Sequence, residues 1–398
     1  MLALSHPTGN TNVRAVLAAL DRHGLLDTFY TTLGVNTDGW LQKVLPSGYR
    51  AKLRKRAYRV TSGRIVFHPL KELMRLAAKR ASIDEVYIDL DAFVAKRISR
   101  AGKKLTGVYC YEDGALETFR AAKTAGLRCC YDLPIAYWET SQRLLWEEAE
   151  RRPAWEPTLV GTRDSQAKLQ RKTTELELAD VIFCASKFVY DSLPARARET
   201  KRCVLAEFGS PKVSLHDGGR PAEDARRPLR MLFAGSMTQR KGLADLFDAV
   251  KLLKRAEVEL IVLGTPIAPL EFYKNEFPHF RHEGPRPHGQ VLELMRTCDV
   301  FCLPSLVEGR ALVQQEALSC GLPLIVTPNA GGEDLIEEGR TGFLVPIRAP
   351  EKIAEKIAWF ADHRDALPVM RDAARRKAAE YTWERYGEKI IAGIEAAG

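Results

Sequence analysis

Short apolar runs followed by longer amphipathic stretches recur along this chain, and that alternation belongs to α/β domains built on parallel sheets. In the first half the runs read as strands at Leu2–Leu4, Glu85–Ile88, Thr106–Tyr111, Arg128–Asp132, Val181–Ala185 and Arg202–Ala206. Helices fall between them at Asn12–His23, Ala115–Ala125 and Leu144–Arg151, the first two stopping before a glycine. The stretch FGSPKVSLHDGGRPAEDARRP, Phe208 to Pro228, has glycine, proline and charge but no apolar period, and reads as a linker. The alternation then restarts with strands Arg230–Ala234, Glu259–Leu263, Val300–Leu303 and Leu324–Thr327 and helices Leu243–Leu253, Gln290–Thr297, Ala311–Ser319 and Pro350–Ala361. The expected organisation is one domain over 1–208, a linker over 209–228, a second domain over 229–377 and a terminal helix over 378–398. In such sheets ligands bind beyond the carboxyl ends of the strands, and the cleft between two facing domains is the default site.

Composition narrows the partners. The 398 residues carry a net charge of +9, which admits nucleic acid, an anionic membrane or a phosphorylated substrate. Arg50 to Lys104 holds sixteen basic residues against five acidic ones, so one segment carries more than the whole excess. A local patch of this kind argues for a docking surface and against nucleic acid. Within it RAKLRKRAYR supplies Arg50, Lys52, Arg54, Lys55, Arg56 and Arg59, a surface suited to anionic lipid or to an anionic acceptor. The eight cysteines form no C-x-x-C pair, which reads as reduced cytosolic usage without a zinc site. The start lacks the charged and apolar regions of a signal peptide, and no run reaches the ~18 apolar residues of a spanning helix, so the expected location is cytoplasmic, extending to the inner membrane surface.

The chemistry concentrates in DVFCLPSLVEGRALVQQEALSCGLPLIVT, Asp299 to Thr327. Seven residues separate Glu308, at the mouth of a helix, from Glu316 inside it, so both carboxylates can serve one pocket at different depths. Carboxylates accept hydrogen bonds from sugar and ribose hydroxyls, and the helix N-terminus between them favours a phosphate. Upstream, LRMLFAGSMTQRKGL ends a strand at Gly235-Ser236 and sets Arg240-Lys241 before a helix, two cations able to offset charge on a diphosphate leaving group.

Pro304, Ser305, Glu308, Gly309, Glu316 and Gly321-Leu322-Pro323, continued by Gly331-Gly332, Glu337, Gly339 and Gly342, resemble the pattern of the family 4 glycosyltransferases. The resemblance implies a GT-B fold of two facing Rossmann-like domains, with a last helix crossing back to the first. It implies a retaining, nucleotide-sugar-dependent enzyme in which Glu308 touches donor-sugar hydroxyls and Glu316 holds the ribose. Gly309, Arg310, Ala311 and Leu312 would present backbone N–H groups to the diphosphate, and Lys241 would match the family's Lys-Gly. Where many relatives carry arginine after the strand glycine this chain has Ser236, and Arg240 is the expected substitute. Gly9 and Asn10 stand where the family has its glycine-rich loop, and Asp132 stands where many relatives have a cleft histidine. Glu112-Asp113 forms a second acidic pair at the expected cleft rim, and the three tryptophans of Tyr137 to Trp155 are candidates for an acceptor groove. With two cations neutralising the diphosphate, no metal or other cofactor is expected. The partners are then a nucleotide sugar, an unidentified acceptor and anionic membrane, with no nucleic acid. Two other classes fit the frame less fully: a GT-B nucleotide-sugar epimerase, and a non-catalytic protein that binds an anionic surface through the basic patch.

Overall fold

The computed structural model describes residues 1–36, 56–78, 80–100, 104–211 and 227–396. The first domain is built on strands β1 (Leu2–Ser5), β2 (Leu26–Thr31), β5 (Arg64–Phe67), β6 (Gly107–Tyr111), β7 (Arg128–Leu133), β8 (Val181–Cys184) and β9 (Arg202–Leu205), with the short pair β3 (Val35–Asn36) and β4 (Ala57–Tyr58) beside it. Among the described residues they form one sheet of order β5-β2-β1-β6-β7-β8-β9, with every pairing parallel. The second sheet runs β12 (Phe280–Glu283), β11 (Val258–Leu263), β10 (Leu229–Ala234), β13 (Val300–Leu303), β14 (Leu324–Val326) and β15 (Gly342–Leu344), again all parallel. Strands covered by helices on both faces must be apolar throughout, and β6, β8, β10 and β13 read GVYCY, VIFC, LRMLFA and VFCL, nearly all buried. This is an α/β fold of two Rossmann-like domains.

The expected strand at Glu85–Ile88 is instead part of the helix Ile83–Ile98. Its β-branched and aromatic composition loses to a complete capping box: Ser82 accepts from the Glu85 amide at 3.1 Å while the Glu85 carboxylate accepts from the Ser82 amide at 2.7 Å. Strands β2, β5, β12 and β15 are not among the expected ones; β2, β5 and β12 mix polar residues into a short run, β15 is only the three residues GFL, and β5, β12 and β15 lie at sheet edges.

Two chain segments tie the halves together. The terminal helix Trp383–Glu395 follows the second domain yet packs on the first helix, Thr11–Arg22, where the absence of a side chain at Gly387 lets Ala19 approach. In the other direction, helix Trp138–Arg151 and the 3-10 turn Pro153–Thr158 leave the first domain and seat Trp155 in the second domain's core, against Phe247, Phe272 and Tyr273. The three tryptophans do not share a groove: Trp155 is core, the Trp138 indole N–H donates to Thr173 at 3.1 Å, Trp146 is exposed, and none of them lines the cavity between the two sheets. Around Trp155, Arg151 and Arg152 pair with Asp245, and Arg152 also reaches Asp248 at 2.7 Å. Most of the expected linker, residues 212–226, lies outside the described residues.

Candidate active site between the two sheets

A cavity of about 530 Å³ opens between the carboxyl ends of the two sheets. Its second-domain wall comes from the ends of β10 and β11, the loop after β12, and the turn from Glu308 into the helix Leu312–Ser319. The first domain contributes Asn10, Asn12, Pro134 and Phe208. Gly235 and Ser236 lie on the wall, and Gly235 has a reason to be glycine: a Cβ there would meet Lys241 Cδ at 2.8 Å. The bare backbone lets the lysine stem lie across the strand end and bring its ammonium into the cavity.

Lys241 Nζ is 2.5 Å from Glu308 Oε1, and Arg240 reaches the same oxygen at 3.0 Å. Burial works to raise the Glu308 carboxyl, but Lys241 and Arg240 outweigh it and hold the group below its ordinary range. It is therefore a carboxylate, with Lys241 as its charged partner on the cavity wall. The turn carrying these cations is fixed from the first domain: Thr158 accepts from Thr238 Oγ1 at 2.7 Å and its hydroxyl accepts from the Gln239 amide at 3.1 Å. The buried Gln239 side-chain Nε2 donates to both Glu148 and Asp245, at 2.7 and 2.8 Å.

The helix Leu312–Ser319 starts at the cavity, with Ala311, Leu312 and Val313 on its wall, and no side chain caps its first turn. Such an end attracts anions. The Glu308-Gly309 turn also touches the first domain, with Ser186 donating to the Gly309 carbonyl at 2.6 Å. A Cβ on Gly309 would meet the Pro134 carbonyl at 1.7 Å, so only glycine permits this approach. Next to the main cavity and sharing Leu312, a smaller one of about 250 Å³ is lined by Glu316, His288 and Trp383. Burial raises the Glu316 carboxyl, while His288, 3.5 Å away, opposes the rise.

Several expected site residues stand elsewhere. Arg240 is not on the cavity wall; its guanidinium donates to the Val307 carbonyl at 2.7 Å and braces Glu308 from behind. The Arg310 backbone lies at the cavity, but its guanidinium is turned into the protein, bonded to Asp334 at 2.8 and 3.0 Å and to Gln315 at 3.0 Å. The Ala311 amide donates to Ala330, so it cannot also serve a diphosphate. The Gly9 amide donates to His6 Nδ1 at 3.0 Å, leaving Asn10 as the cavity-lining member of that pair. Glu112 is buried against Lys172 at 3.3 Å and does not line the cavity. Arg50, Lys52, Arg54 and Lys55 lie outside the described residues; Arg56 pairs with Glu72, and Arg59 is exposed.

Asp132 likewise does not reach the cavity. Alternation along β7 turns it to the face covered by the terminal helix, where it accepts from Tyr109 at 2.6 Å and Tyr386 at 3.3 Å. Burial raises its pKa to about 7, with the two tyrosine hydroxyls opposing. A carboxyl raised in the folded state stabilises fully below its unfolded pKa near 4, and that contribution is lost as pH rises through about 7. Asp132→Asn keeps an acceptor without the charge. We expect the wild type to weaken relative to this variant between pH 5 and pH 8, by at most about 3 kcal/mol, as read by urea denaturation at the two pH values. An unchanged difference would refute the assignment.

Asn12, Arg286, His288 and Trp383 line these cavities without having been expected there. For Arg286 and His288 the available signal was GPRPHG, a proline-rich loop following a strand that was itself unrecognised.

Sheet order, the two facing domains and a cavity at the carboxyl ends of both define a GT-B architecture. The structure superposes with a TM-score of 0.63 on Anabaena HepE, solved in complex with UDP and glucose, over 99% of each chain at 14% identity. Residues 228–363 match the family Glycosyl transferases group 1. An uncharacterized glycosyltransferase of Methanocaldococcus jannaschii is 25% identical over 52% of this chain and 57% of its own length. A D-inositol 3-phosphate glycosyltransferase of Jonesia denitrificans is 24% identical over 73% of this chain and 77% of its own length. The chain thus spans little more than half of the first relative and about three quarters of the second.

Proposed function

We propose that the chain transfers a sugar from a nucleoside diphosphate sugar to an acceptor held on the first-domain side of the cleft. The observation that carries this reading is the convergence of the Lys241 ammonium and the uncapped N-terminus of helix Leu312–Ser319 on one cavity, with the Glu308 carboxylate beside them. Two positive groups suit a diphosphate, and a carboxylate suits the sugar hydroxyls attached to it. That HepE, which shares the fold, was solved with UDP and glucose supports a nucleotide-sugar donor. The smaller cavity at Glu316 then takes the ribose. As the donor binds, its diphosphate competes with Glu308 for Lys241 and frees the carboxylate for the sugar.

The proposed chemistry is retaining and independent of metal. Lys241 and the helix end supply the charge that offsets the departing diphosphate, and the departing phosphate takes the acceptor proton on the same face. Among the described residues the cavity wall carries no carboxylate besides Glu308, which Lys241 and Arg240 already hold. The proposed location is cytoplasmic, with the basic segment of the first domain lying on anionic membrane; among the described residues no helix is long and apolar enough to cross one.

Thermal-shift screening against UDP, GDP, ADP and their common sugars identifies the donor, because binding to the folded state raises apparent stability. With the donor found, Glu316→Ala should weaken its nucleoside diphosphate about tenfold or more by calorimetry, the loss expected of a hydrogen bond to a charged group. Unchanged affinity would sink the ribose assignment. Product analysis with donor alone separates transfer from isomerisation of the nucleotide sugar.

A further inference from the structure

Helix Leu70–Ala78, which follows edge strand β5, is amphipathic in the wrong sense for a protein surface. A surface helix ordinarily turns its apolar stripe inward and its charge to water. Here Glu72 is completely buried, bonded to Arg56 at 2.6 Å and to Arg75 at 2.7 and 2.9 Å. Leu70, Leu73 and Leu76, spaced along one side of the helix, are instead 65%, 48% and 51% exposed.

The charge around this stripe is one-sided because the nearby acids are already engaged. Glu72 is held by its two arginines, Asp84 pairs with Arg171, and Asp89 lies 2.8 Å from His68. Asp91 is buried and accepts two backbone N–H groups, and Glu85 closes its capping box while lying 3.9 Å from Lys71. Arg64 reaches further out than the acid it faces: its side chain is 78% exposed against 30% for Asp27, 3.9 Å away, while Arg80 is exposed and Lys71 is partly so. Exposed leucines rimmed by exposed Lys and Arg match a bilayer of anionic lipid, with its acyl boundary beneath a layer of phosphate. A protein partner would have to present acids around an apolar patch; the bilayer does so everywhere.

We infer that helix Leu70–Ala78 is the element on which this protein docks to anionic membrane, inserting Leu70, Leu73 and Leu76 while Arg64, Lys71 and Arg80 meet lipid phosphate. This deepens the peripheral contact proposed above: the leucines, and not charge alone, hold the protein at the surface. The docking element belongs to the domain proposed to hold the acceptor, so an acceptor presented at the bilayer would be met on the correct side of the cleft.

The full chain is sedimented with phosphatidylcholine vesicles and with vesicles half phosphatidylglycerol, at low and high salt. The wild type should bind the anionic vesicles and not the neutral ones. Leu70→Ser/Leu73→Ser/Leu76→Ser should bind the anionic vesicles about tenfold or more weakly even at low salt. Arg64→Glu/Lys71→Glu should lose both binding and salt dependence. Equal binding of the leucine variant would overturn the inference. So would a wild-type dimer in solution that this variant converts to monomer without any vesicle binding, since a second copy would then cover the face. Circular dichroism and the nucleotide-induced thermal shift show that the variant is folded. A missing nucleotide shift in every protein would count against the catalytic reading and leave the vesicle result standing.

Discussion

Lys241→Ala lowers kcat by about 10²- to 10³-fold, the loss seen when one preorganised electrostatic group is removed from a buried transition-state site. The expectation follows from position. Lys241 brings an ammonium to the cavity wall, its stem lies across Gly235, and its turn is locked by Thr158, Glu148 and Asp245. A cation fixed in this way needs no reorganisation as charge builds on the proposed diphosphate leaving group. The effect should fall mainly on kcat, because charge on the leaving group grows between ground state and transition state. Arg240→Ala should cost less, since that guanidinium braces Glu308 and Val307 and does not line the cavity. Steady-state kinetics with the identified donor decide the point. Equal losses in the two variants would return Arg240 to the catalytic role expected from the sequence, and an active Lys241→Ala would remove the lysine from the mechanism.

Trp155→Ala destabilises the protein by about 3–5 kcal/mol, the range for removing a fully buried aromatic. Its ring is 2% exposed, with centroids 6.0, 5.0 and 5.6 Å from those of Phe247, Phe272 and Tyr273, and its N–H donates to Glu276 at 3.1 Å. Truncation leaves a cavity in one domain and releases a segment belonging to the other. The 3-10 turn that carries Trp155 also carries Thr158, so the turn holding Lys241 loses its brace. Urea denaturation should show a lower midpoint for the second domain, and kcat should fall at temperatures where the variant is still folded. If stability falls and kcat does not, Trp155 acts only as core and the bracing role fails.

What could be read in advance divides along physical lines. Strands β6, β8, β10 and β13 were legible because strands buried on both faces must be continuously apolar. Edge strands β5 and β12 carry Arg64 and Glu283 among their few residues and lost that signature. The helix at Ile83 is legible in principle, since Ser82 and Glu85 spell its capping box, but the run Val86-Tyr87-Ile88 fits a buried strand as well. Glu308 and Lys241 were named from spacing and resemblance, and they meet on one cavity wall.

By itself the sequence determined two parallel α/β domains, a helix that opens between two glutamates, and a cation turn before it, all set by apolar period and residue chemistry over a few turns of chain. Only the tertiary structure decided which way each side chain faces. Asp132 was placed correctly on its strand yet points to Tyr386, a partner 254 residues away, and not into the cleft. Arg310 turns inward to Asp334, Trp155 crosses into the other domain's core, and Leu70, Leu73 and Leu76 face outward above a buried Glu72. In each case the deciding contacts come from residues outside the local pattern: burial and pairing are fixed by whatever packs against a position, which local spacing does not encode.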